Sequence, residues 1–300
     1  MPIRRALARS LLQLVVRPGL APGKSLARRR RAMERSARLL PLPLPAGVRR
    51  LSAAPDHPGE WWLPAGTRPD TPRGAVLYLH GGGFVVGSPL THRAAAARLA
   101  RFAGLPVLVL DYRLAPEHPF PAALDDARAA WSRLTAGAAR PVSVAADSAG
   151  GWLAVALALQ CAAAGLQRPA GLALFSPLFD LAAAEARGAQ GDRMLPPGFL
   201  GESVRAWRGA LPADDPRLDL RAGGLAGLPP LFASFDRDEL LADDARQLLR
   251  EARAAGVTAR DEEATGLWHA WPLFAGILPE ADATLRRAAA MLAPAGRKPD

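Results

Sequence analysis

The chain has a single cysteine, Cys161. That excludes an internal disulfide and any cluster of thiolates around a metal. It suits a reducing compartment, so the expected location is cytoplasmic. No long apolar run is present. The longest near the start lies within Leu11 to Val16, too short to cross a bilayer. A few basic residues and an apolar stretch superficially imitate a secretory leader. Arg9 interrupts that stretch, and no small-x-small cleavage site follows, so no cleaved leader is expected. Internal repeats are absent as well. Acids are scarce at the beginning: residues 1–50 hold thirteen Lys/Arg and one acid, Glu34. The net charge of +10 is therefore local. The first fifty residues carry +12 and the other 250 carry −2. No aromatics interleave with the run Arg28-Arg29-Arg30-Arg31, which argues against nucleic acid. The run reads as a solvated helix face. The segment as a whole reads as amphipathic helices lying on the body or weakly on a membrane surface.

Half of the residues are hydrophobic and 22% are charged, enough to build a sizeable core. Short, nearly continuous apolar runs occur at 75–79, 107–110, 142–146, 172–175 and 231–235. Each reads as a strand buried on both faces. Helical stretches are expected at 91–103, 121–135, 149–165, 240–255 and 281–293, with two more at 3–16 and 24–40. A further strand is expected from Thr258 to Ala264. Strands alternating with helices predict an α/β protein: a mostly parallel sheet covered on both faces. Residues 183–212 lack strand periodicity and read as an inserted cap. The domain division is then an N-terminal basic helical cap segment, 1–50, and a body over 51–300.

In such a sheet, reactive groups gather at the carboxyl ends of the strands. His80-Gly81-Gly82-Gly83 follows the first apolar run, Asp111 the second, Asp147-Ser148 the third, and Asp236 and Asp238 the fifth. Ala146-Asp147-Ser148-Ala149-Gly150 lies between strand and helix. There a tight turn pushes a serine hydroxyl out of the sheet above a helix N-terminus. Three consecutive glycines let a loop turn backbone N–H groups towards a developing oxyanion, and the amide of Ala149 can add another. A phosphate loop is a poorer reading, since no Gly-Lys-Ser/Thr follows.

Five histidines could activate the serine. His57 precedes the sheet, His80 belongs to the glycine loop, and His92 opens a surface helix. His118 reads as a packed structural group. Only His269 follows both the serine and the acids, giving the chain order nucleophile, acid, base. Asp236 and Asp238 are both placed to orient it, while Asp243 and Asp244 read as part of the next helix. Trp62, Phe84, Trp152, Trp207 and Trp268 could line a pocket or simply fill the core.

The stretches HGGGF at 80–84, DYRLAPEHPFPAALDD at 111–126, DSAGG at 147–151, DELLADDA at 238–245 and GLWHAW at 266–271 resemble the hormone-sensitive-lipase-like, or family IV, bacterial esterases. The resemblance implies an α/β-hydrolase fold with a small helical cap. It also implies hydrolysis of short- to medium-chain carboxylic esters, without a cofactor or a metal. It places the catalytic triad on Ser148, Asp238 and His269, and the oxyanion amides on Gly82, Gly83 and Ala149. Asp111, Arg113, Glu117 and His118 match a signature of structural support. Ala146 departs from the glycine usual at that position, which predicts some strain in a crowded turn. Other readings of the same residues are a ligand-binding protein on a hydrolase scaffold, or an amidase, peptidase, lactonase or lipase. The expected partner is a small-molecule ester; the sequence leaves oligomeric state open.

Overall fold

The computed structural model describes residues 2–40, 42–52, 58–137, 140–187 and 190–292. His57 and the end of the last expected helix, at 293, lie outside the described residues. Eight strands form one sheet: β1 (Val48–Leu51), β2 (Gly59–Pro64), β3 (Ala75–Leu79), β4 (Val107–Leu110), β5 (Val142–Asp147), β6 (Leu172–Phe175), β7 (Leu231–Asp236) and β8 (Ala259–Ala264). Their order is β1-β2-β4-β3-β5-β6-β7-β8. From β4 to β8 every pairing is parallel. β1 and β2 add an antiparallel edge.

The described helices are α1 (Pro2–Leu11), α2 (Leu26–Leu39), α3 (Pro89–Ala103), α4 (Ala122–Thr135), α5 (Ala149–Ala163), α6 (Leu181–Ala186), α7 (Phe199–Arg208), α8 (Ala242–Ala254) and α9 (Pro279–Leu292). α3 packs on α9, and α4 packs on α5. These pairs cover the two faces, which is why the residues of β3, β4, β5, β6 and β7 are buried without alternation. β8 is an outer strand and mixes half-buried with exposed residues.

Ser88 starts α3. Its hydroxyl accepts from the Thr91 amide while the Thr91 hydroxyl accepts from the Ser88 amide, a reciprocal cap. α5 needs no such cap, because its first turn is fixed by the strand that feeds it. Its residues are almost wholly buried and apolar, as expected of a helix lying centrally against a sheet.

The N-terminal segment is bound to the body by its charges. Arg29, expected on a solvated face, is buried, and its Nη2 donates to Glu202 of α7 at 2.8 Å. Arg30 donates to the carbonyls of Val85 and Ala115 at 2.7 and 2.6 Å, and to both oxygens of Glu117. Arg28 and Arg31 do face solvent. The arginine run thus splits along the 3.6-residue period, two members outward and two inward. No described helix is long and apolar enough to cross a membrane.

Candidate active site

β5 ends at Asp147, and the chain turns at once into α5. Ser148 occupies this turn with φ 50° and ψ −121°, a conformation that costs an L-residue on the order of 1–3 kcal/mol. Neighbouring hydrogen bonds hold it there. The Ser148 amide donates to the Phe175 carbonyl at 2.9 Å, and the Ser148 carbonyl accepts from Leu178 at 2.9 Å and from Gly151 at 2.8 Å. The tight approach predicted at Ala146 falls instead on Gly150, where a Cβ would overlap the Leu79 carbonyl oxygen. Ala146 sits within regular β5, paired with Leu79 and Leu174. Its methyl group therefore lies in the sheet core and outside the turn.

The glycine loop lies beside Ser148. Gly82 has φ 113° and Gly83 φ 63°. A Cβ at Gly82 would overlap the Val86 carbonyl, and one at Gly83 would come within 2.7 Å of Ser203 Cβ in α7. The Gly81 amide donates to Asp147 Oδ1 at 3.1 Å. Among the described residues, the Gly82 and Gly83 amides donate to no group of the chain. Ala149, as the first residue of α5, has its N–H outside the helical ladder. Three donors are thus left for an incoming oxygen.

His269 is buried, only 2% exposed. Its Nδ1 lies 3.4 Å from Oε1 of Glu239. The carboxylate meeting the imidazole is therefore Glu239, and the expectation of Asp238 is corrected. β7 closes with a turn in which the Glu239 amide donates to the Asp236 carbonyl at 3.2 Å. Asp238 stands at the tip of that turn and is exposed, whereas Glu239 points back under the sheet edge and is buried. The longer glutamate side chain spans the gap that the turn leaves. The signal was present in the sequence: Glu239 directly precedes the apolar pair Leu240-Leu241, and glutamate serves as the third member as well as aspartate.

Sequence reasoning also missed Ser176, whose hydroxyl donates to Glu239 Oε2 at 2.8 Å and accepts from the Ala270 amide at 2.9 Å. The Asp236 amide donates to the same Oε2 at 3.1 Å. Asp236 itself accepts from Asp238 at 3.1 Å and from Leu267 at 2.7 Å, pinning the acid turn to the histidine loop. Residues 175–178 are thus gripped from one side by Ser148 and from the other by the backbone following His269. Burial pushes Glu239 above the usual carboxylate range, against the hydrogen bond and charge of His269. Burial disfavours a charged His269. The hydrogen bond and charge of Glu239, with the charges of Asp192 and Asp147, outweigh it and raise the imidazole above its ordinary value.

A second buried cluster lies on the other side of the nucleophile turn. His92, expected on a surface helix, is buried, with Nε2 3.2 Å from Asp147 Oδ1. Tyr78 donates to the same oxygen at 3.0 Å. The His80 ring stacks on Tyr112 with centroids 4.1 Å apart, and its Nδ1 meets the Gly81 carbonyl at 2.8 Å. Burial, helped by the neighbouring charge of His92, drives His80 down to about 3, so it stays neutral. His118, expected to be packed, is exposed. Nearby, Arg113 and Asp126 form an ion pair at 2.8 Å that ties the 111–126 loop together. Phe84, Trp152 and Trp207 form one aromatic cluster under the glycine loop, with Phe84 stacked on Trp207 at 4.0 Å. Trp62 and Trp268 are buried elsewhere.

A family model described as alpha/beta hydrolase fold matches residues 76–273. An acetyl-hydrolase of Streptomyces hygroscopicus is 39% identical over 241 residues, 78% of each chain. Esterase LipU of Mycobacterium tuberculosis is 33% identical over 289 residues, 91% of this chain and 97% of its own. Among solved structures, an esterase from the bacterial hormone-sensitive lipase (HSL) family superposes with a TM-score of 0.84 at 33% identity, covering 97% of each chain. The chain belongs to the α/β-hydrolase family and, within it, to the hormone-sensitive-lipase-like (family IV) bacterial esterases.

Proposed function

We propose that this chain hydrolyses short- to medium-chain carboxylic esters through an acyl-enzyme on Ser148, with His269 as general base and Glu239 as the carboxylate that orients and charges it. The observation that carries this reading is the buried contact between His269 Nδ1 and Glu239, held against the same 175–178 turn that fixes Ser148. With Nδ1–H directed at Glu239, Nε2 is left as the acceptor. Ser148 Oγ attacks the ester carbonyl carbon and its proton passes to Nε2. The carbonyl oxygen becomes an oxyanion facing the amides of Gly82, Gly83 and Ala149. The C–O bond to the alcohol then breaks, and the proton on Nε2 goes to the departing oxygen. Water, deprotonated by the same imidazole, cleaves the acyl-enzyme and restores Ser148.

Residues 1–50 serve as a helical cap, with the insertion near 183–212, over a catalytic body of 51–300. The lone buried thiol at Cys161 suits a cytoplasmic setting, the partner is a small ester with no nucleic acid, and contact with a membrane surface is weak. Replacing Ser148→Ala should abolish turnover of p-nitrophenyl esters while leaving the fold, read by circular dichroism, unchanged. A fluorophosphonate should label wild type at Ser148 and leave the variant unlabelled. Near-normal hydrolysis by the variant would remove the assignment. Rates on esters of rising acyl length, beside an amide of matched shape, define the substrate class.

A further inference from the structure

A helix lying on a globular protein usually turns its apolar stripe inward. α1, together with the π-helical turn Leu12–Val16 that continues it, carries a second apolar stripe that faces out. Ile3, Leu7 and Leu14 are 83%, 51% and 78% exposed. Of the seven large hydrophobic side chains most exposed among the described residues, six lie in residues 1–51. At roughly 100° per residue, Ile3 and Leu7 fall within about 40° of each other on the helix. Arg4 lies about 60° beyond Leu7 on one side and Arg9 about 120° beyond Ile3 on the other, at the margin of the body-facing side, and both are exposed. Neither has an ion-pair partner among the described residues. The opposite side of the helix is spent on the body: Ala8 and Leu12 are buried, and Arg5 binds Glu280 at 2.7 Å.

We infer that this outer face of α1 docks on an anionic lipid surface. The inference rests on the weak membrane contact proposed above and names its residues and its lipid chemistry. Apolar side chains between unpaired arginines match the boundary between acyl chains and negatively charged headgroups. A second copy of the chain fits poorly: a two-fold contact through α1 would set Arg4 and Arg9 of one copy against the same residues of the other. Nucleic acid has no use for the leucines. The turn that continues α1 is tied to the histidine loop. Gln13 donates to the Arg193 carbonyl at 2.6 Å, and Arg193 donates to the Leu267 carbonyl at 2.7 Å, two residues before His269.

The test is sedimentation of the full chain with vesicles of phosphatidylglycerol or of phosphatidylcholine, beside hydrolysis of soluble p-nitrophenyl butyrate. Wild type should partition onto phosphatidylglycerol about 10-fold or more above phosphatidylcholine, and less in high salt. The combined change Ile3→Ser, Leu7→Ser, Leu14→Ser should lower that partition by at least about 10-fold. Arg4→Glu with Arg9→Glu should lower it by a similar factor. Both variants should hydrolyse the soluble ester at the wild-type rate, so failed docking and failed catalysis read out separately. Equal binding to both lipids, no binding, or wild-type binding by either variant would overturn the inference. So would a dimer that the serine variant dissociates, which would assign the face to a second copy.

Discussion

Two buried histidine–carboxylate pairs stand on either side of Ser148, and they are built differently. In one, His269 meets Glu239 at 3.4 Å; in the other, His92 meets Asp147 at 3.2 Å. Both imidazoles are raised above their ordinary value by their carboxylates, against burial. The carboxylates diverge. Burial raises Glu239, and its hydrogen bonds only partly offset this. Burial acts on Asp147 in the same direction, but the charge and hydrogen bond of His92, with the Tyr78 hydroxyl, overcome it and lower its value. Asp147 also accepts from the Gly81 amide. The Asp147 pair is therefore shifted towards its charged form, and it ties β3, α3 and the nucleophile turn together. The Glu239 pair is shifted less far to that form, since its carboxyl is raised, which would suit the proposed mechanism, where its imidazole gains and loses a proton.

The largest effect that could break this contrast comes from Glu239→Gln. Loss of the charge behind the imidazole should lower kcat/KM by about 10³- to 10⁴-fold. The midpoint of the acid limb should move down, because Glu239 is what raises His269. Asp238→Asn should stay within about 2-fold of wild type, its side chain being exposed. The reverse ranking in steady-state kinetics would return the acid to Asp238.

Next in size is His92→Leu, which leaves Asp147 buried without its cation. Stability in urea should fall by about 3–5 kcal/mol. The sign with pH follows from the shifts. The lowered carboxyl of Asp147 contributes above its unfolded value near 3.9 and loses that contribution as pH falls through its folded value. The raised imidazole of His92 contributes below about 6.5 and loses that contribution as pH rises through its folded value. The gap between variant and wild type should thus be widest between about pH 4 and 6.5 and narrow at alkaline pH. A gap independent of pH would mean that His92 acts only by packing.

The smallest effect is that of Ser176→Ala, a positioning change. It should lower kcat by about 10-fold with little change in KM. The Ser176 hydrogen bond lowers Glu239, so its loss lets burial raise that carboxyl further and leaves less charge behind the imidazole; the acid limb should move down, in the same direction as for Glu239→Gln but by less. A KM effect alone would deny Ser176 this role.

The parallel sheet was readable because strands covered on both faces must be continuously apolar, and the predicted runs coincide with β3 to β7 within a residue or so. β1 and β2 were not readable. Their residues, VRRL and GEWWLP, carry charges, glycine and proline, and they pair only because β4 offers an edge to a returning chain. Ser148, the glycine run at 81–83, Ala149 and His269 stood out as candidates by residue type and by position after strands, and the choice of Gly82 and Gly83 came from the family resemblance. The choice between Asp238 and Glu239 could not be made that way. It depends on which side of a four-residue turn faces inward, and no periodicity governs so short a stretch. His92 misled because a polar residue at a helix start usually faces water, whereas here it meets a carboxylate inside the sheet edge.

Through Asp147, the residue preceding the nucleophile holds the first amide of the glycine loop. The attacking atom and the cradle that receives the oxyanion therefore share one local frame of reference. Under the proposed mechanism, a shift of β3 against β5 would have to break this bond before it could part the amides from the Ser148 hydroxyl.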